Sequence, residues 1–96
     1  MRNSNTQSIK EVIEELINAY KLRGKMNEVR LQHSWEALMG KAVNNRTKEI
    51  YLRDKKLFIR LTSAPLKEEL FYSSDKIKKM LNELLEGEYI EEVKFL

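Results

Sequence analysis

The sequence predicts an α+β fold, a three-stranded sheet packed on helices in the order α-α-β-β-α-β. Three observations carry this: helical apolar spacing over the first forty residues, strict alternation in KEIYLRDKKLFIRLTS, and a second long helical stripe followed by a short alternating tail.

The first helix is expected over about Ser8 to Leu22. Ser8 and Glu11 have the spacing of a capping box, and Ile9, Val12, Ile13, Leu16, Ile17 and Tyr20 recur at helical intervals. Gly24 reads as its stop. A second helix follows, with Met26, Val29, Trp35, Leu38 and Met39 as a less regular stripe, ending near Gly40 or a few residues later.

The hairpin comes next. Ile50 and Leu52, then Leu57, Ile59 and Leu61, alternate with polar neighbours on either side of Asp54-Lys55. A two-residue loop there opposes Leu52 with Leu57, Tyr51 with Phe58, Ile50 with Ile59 and Glu49 with Arg60. That register collects all five aliphatic residues on one face and leaves Glu49, Tyr51, Arg53, Lys56, Phe58 and Arg60 on the other, whereas an odd-length loop would mix them. The turn lacks glycine, so left-handed backbone at Lys55 carries some strain, and a four-residue turn of the same register is an alternative.

Ser63 caps a third helix, Pro65 fits its first turn, and Leu66, Leu70, Ile77, Met80, Leu81, Leu84 and Leu85 mark its buried stripe up to Gly87. Tyr89, Val93 and Phe95, alternating with Glu92 and Lys94, give a last strand. The expected organisation is a loose N-terminus over residues 1–7 and a single domain over 8–96.

Composition narrows the function. Without cysteine there is no disulfide framework, thiolate metal site or thiol nucleophile. One histidine and three isolated glycines offer neither an acid–base constellation nor a phosphate loop, so neither an enzyme nor a cofactor is expected. His33 has no second histidine to complete a metal site, and Trp35, in an amphipathic helix beside Leu38 and Met39, reads as a core anchor. The N-terminus has no apolar run suited to a signal peptide, and no stretch approaches the roughly twenty apolar residues of a membrane span. A cytoplasmic protein is expected.

Charge is uneven along the chain. Residues 1–40 carry six Lys/Arg and five Asp/Glu, residues 41–60 seven and two, and residues 61–96 five and eight. A basic middle segment points to a local anionic partner, against the plainer reading of a solvated charged surface. The candidate binding residues are therefore Arg46, Lys48, Arg53, Lys55, Lys56 and Arg60 for phosphates, with Tyr51 and Phe58 as stacking platforms for bases of single-stranded or duplex nucleic acid. The competing role of Tyr51 and Phe58 is an ordinary stabilising cross-strand pair. Lys76, Lys78 and Lys79 form a second basic cluster on the outer surface of the third helix, and would extend the basic surface if they lay on the hairpin's side.

The run Trp35-Glu36-Ala37-Leu38-Met39-Gly40, then Thr47, a hairpin, Ser63, the Glu69-Leu70 pair opening a long helix, and the terminal Val93-Lys94-Phe95 resemble the DciA-like family over about residues 9–95. This resemblance implies a KH-like fold and a bacterial accessory role in DNA replication, assisting the replicative helicase and binding nucleic acid. The GxxG loop with which KH domains clamp a nucleic-acid backbone has no counterpart here, so binding would use another surface, such as the hairpin face. The alternative is a protein-interaction adaptor or homodimer without direct nucleic-acid contact, docking through its first helix or a strand edge.

Overall fold

The computed structural model describes the backbone of residues 4–96 and the side chains from Ser8 onward. It is α+β, with four helices and a three-stranded mixed sheet: α1 (Ser4–Met39), α2 (Lys41–Asn45), β1 (Thr47–Arg53), β2 (Lys56–Leu61), α3 (Ala64–Tyr72), α4 (Ser74–Leu85) and β3 (Glu92–Phe95). This arrangement is compatible with a KH-like fold. Of the expected loose N-terminus, residues 1–3 lie outside the described residues and residues 4–7 form the first turn of α1.

The largest departure from expectation is α1. Gly24 does not stop it; one helix of 36 residues, about 54 Å at 1.5 Å per residue, runs through to Met39. An interior glycine costs a helix only about 1 kcal/mol relative to alanine. Ser8 accordingly lies inside the helix rather than at its N-cap. Nor do Met26 and Val29 face the core: both are exposed, and the buried positions are Asn27, Glu28, Leu31 and Trp35. The true break is Gly40, whose φ of 91° and ψ of 164° suit only glycine. It starts the short α2.

The hairpin matches expectation residue for residue. Leu52 opposes Leu57, Tyr51 opposes Phe58, Ile50 opposes Ile59 and Glu49 opposes Arg60, with the register shifting between Thr47 and Glu49. Asp54 and Lys55 both take positive φ, 50° and 65°, the conformation of a two-residue type I′ turn, whose twist suits the flanking strands.

The expected third helix is two helices. The Ser63 hydroxyl accepts from the Leu66 N–H as predicted, but the chain bends at Ser73 (φ −105°, ψ 14°) before α4 begins. The Ser74 hydroxyl donates to the Phe71 carbonyl there, a local bond of the kind that competes with the helical ladder. The two helices form the crossover that a parallel pair requires. β3 then lies parallel to β2, giving the sheet order β1-β2-β3 with β2 central. Tyr89 falls outside this strand.

All helices with core residues pack on one sheet face, since Leu57, Ile59, Val93 and Phe95 join Leu31, Trp35, Leu70, Ile77, Leu81 and Leu85 in a single cluster. Trp35 is fully buried and its Nε1–H donates to the Thr47 hydroxyl, which donates in turn to the Val43 carbonyl.

Three polar side chains finish the frame. The free edge of β1 is closed by α1: Gln32 donates to the Ile50 carbonyl, and a Glu28 carboxylate oxygen accepts from the Leu52 N–H at 2.9 Å. Buried Asn82 does the equivalent for the approach to β3, donating to the Ile90 carbonyl and accepting from the Ile90 N–H, both at 2.9 Å.

Candidate nucleic-acid interface

Because side chains alternate across a strand, burying Ile50, Leu57 and Ile59 obliges Glu49, Tyr51, Arg53, Lys56, Phe58 and Arg60 to face outward. The third strand extends this face. Pairing Lys56 with Glu92 and Phe58 with Lys94 adds one acid and one lysine beside the hairpin. Sequence reasoning omitted Lys94 from the site; its alternation with Val93 and Phe95 gave its side of the strand, but nothing local said that β3 would lie next to β2.

Tyr51 and Phe58 form the centre. Their rings stack with centroids 5.0 Å apart and planes 15° from parallel. The Arg53 guanidinium lies 5.4 Å from the Tyr51 ring centroid, a cation–π arrangement that holds a positive charge at the aromatic pair. Both rings are half-buried, so the pair combines cross-strand packing with accessible ring surface.

The cations around it differ in their commitments. Arg60 Nε bonds to a Glu49 oxygen at 3.2 Å, and the Lys94 ammonium lies 4.0 Å from Glu92. Both pairs are solvent-exposed, where such bridges contribute little and exchange readily for another anion. Lys56, among the described residues, has no ion-pair partner. Counting Arg53, Lys56, Arg60 and Lys94 against Glu49 and Glu92, the face carries two net positive charges.

The remaining predicted residues lie at its ends. Arg46 follows α2, its guanidinium donating to the Ala42 carbonyl at 3.0 Å, and exposed Lys48 sits at the irregular start of β1. Lys55, in the turn, borders a cleft of about 380 Å³ between α1 and the hairpin, with Tyr20, Arg23, Leu52 and Tyr89 among its walls. Arg23 donates to the Tyr89 hydroxyl at 2.7 Å across this cleft. Lys76 and Lys79 are exposed on α4, in the layer behind the sheet, so they do not extend the outer face.

Glu28 ties α1 to this region electrostatically. Burial alone pushes its carboxyl up, yet the bonds from the Lys25 ammonium and the Leu52 N–H, with the charges of Lys25 and Arg53, hold it below its ordinary value. It therefore stays anionic.

No group of His, Asp or Glu among the described residues is arranged to hold a metal ion, and His33 is exposed. No described helix is long and apolar enough to cross a membrane. No curated protein and no solved structure matches the chain. The family model described as "Dna[CI] antecedent, DciA" matches residues 8–95, an interval that takes in every element from the body of α1 to β3. The chain belongs to the DciA family, a helicase-accessory family of bacterial DNA replication.

Proposed function

We propose that this protein binds nucleic acid through the outer face of its sheet while acting as an accessory of the replicative helicase. The observation that carries the reading is the stacked Tyr51–Phe58 pair set among Arg53, Lys56, Arg60 and Lys94. Single-stranded nucleic acid is held by bases stacked on aromatic rings beside cations that neutralise the phosphates. The unpartnered Lys56 and the exchangeable Arg60 and Lys94 supply that charge, and Arg46, Lys48 and Lys55 continue it toward the ends of the hairpin. Stacking on aromatic rings beside cations that neutralise phosphates reads no base edge, so binding of this kind is sequence-tolerant.

The test is fluorescence anisotropy with labelled single-stranded and duplex DNA and RNA at several salt concentrations, beside the Lys56→Glu/Arg60→Glu variant. The parent binds with an affinity that falls as salt rises. Losing two phosphate contacts reduces the log–log salt slope by about 1.4 on a single strand, at about 0.7 per contact. Absence of binding at low salt, or an unchanged slope in the folded variant, refutes the reading.

A further inference from the structure

The apolar stripe of α1 does not end where the domain ends. The residues that meet the sheet, Leu31, Trp35 and Leu38, continue at helical spacing through Glu28, Asn27 and Gly24 into Tyr20, Ile17, Leu16, Ile13, Val12 and Ile9. These six are largely exposed: Ile9 is 65 % exposed, Leu16 64 % and Tyr20, at the wall of the cleft beside the hairpin, 57 %. The molecule measures 61 × 21 × 20 Å, its long axis set by this projecting arm. A helical segment with an uncovered apolar face is marginal in water, because most helical stability in proteins comes from packing that face.

We propose that the projecting half of α1 pairs antiparallel with the same segment of a second copy, making the protein a homodimer. This goes beyond the nucleic-acid reading and does not depend on it.

Charge fixes the partner and its direction. Residues 8–15 hold Glu11, Glu14 and Glu15 against Lys10, a net −2, while residues 16–25 hold Lys21, Arg23 and Lys25, a net +3. Antiparallel pairing of two copies lays each acidic segment on the other's basic one; parallel pairing sets like against like. With the two-fold axis between Leu16 and Ile17, Ile13 meets Tyr20 of the second copy and Glu14 lies beside its Lys21.

The same register brings Ile9 opposite Gly24 of the second copy. A Cβ added to Gly24 would have nothing within 4 Å in its own chain, so intramolecular packing does not account for a glycine inside this long helix. A facing side chain seated there does, as a knob in a hole.

Sedimentation equilibrium over a wide concentration range tests the proposal. The parent shows reversible dimerisation, and Leu16→Glu, which sets like charges against each other near the axis, weakens it about tenfold or more while circular dichroism shows helix content retained. Since the chain lacks cysteine, single introduced thiols report direction: oxidation links Ile17→Cys, beside the axis, and leaves Ile9→Cys unlinked. A single-chain mass at every concentration, whether the arm is bare or docks on a different protein, overturns the proposal, as does an undiminished dimer in Leu16→Glu or equal cross-linking of both thiols.

Discussion

Two polar residues buried at strand edges do more for this fold than their composition announces. Glu28 and Asn82 each satisfy backbone groups that no strand reaches, and an unpaired buried donor or acceptor costs about 1–3 kcal/mol. Asn82→Ala, which orphans both the N–H and the carbonyl of Ile90, is expected to lower unfolding free energy by about 2–4 kcal/mol in urea titrations. Glu28→Gln removes a charged acceptor and costs about 1–2 kcal/mol at neutral pH. The depressed carboxyl of Glu28 contributes its stability above the ordinary value of 4.5 and loses it as pH falls through the folded-state value. Parent and variant therefore converge in stability on acidification, a trend that chemical denaturation at a series of pH values checks directly. Neither residue was legible from sequence: an Asn or Glu inside a helix looks solvated until the backbone it serves is in place. Trp35 was legible, because a tryptophan beside Leu38 and Met39 in an amphipathic helix has few other uses.

Elements were readable where periodicity was uninterrupted and misread where polar residues filled a stripe. The hairpin disclosed its own register, since only an even loop puts Ile50, Leu52, Leu57, Ile59 and Leu61 together. Helix α1 was divided at Gly24 because the stripe there turns to Gly24, Asn27 and Glu28, although its phase continues unbroken into Leu31 and Trp35. The glycine that ends the helix is Gly40, and its backbone geometry predicts that Gly40→Ala costs about 1–3 kcal/mol while an alanine at Gly24, in helical backbone, leaves the isolated fold no less stable. Thermal melts of the two variants separate the cases. At Gly24 the same substitution fills the hole proposed for Ile9 of a second copy, so it weakens self-association without destabilising the chain.

At the scale of the molecule, the sheet separates two surfaces: a helical layer that encloses the core, and an open face carrying the stacked aromatics and four cations. The candidate site was half legible. Alternation assigned Tyr51, Arg53, Lys56, Phe58 and Arg60 to that face, but the parallel placement of β3, which brings Lys94 beside Phe58, depends on a crossover that no local pattern encodes. If nucleic acid lies on this face, amide chemical-shift mapping of the labelled protein with a short single-stranded DNA locates the contact. Saturable shifts are expected at Tyr51, Arg53, Lys56, Phe58, Arg60 and Lys94, with the α4 lysines Lys76 and Lys79 unmoved. Shifts confined to α4 or to the arm of α1, with the sheet silent, would contradict it.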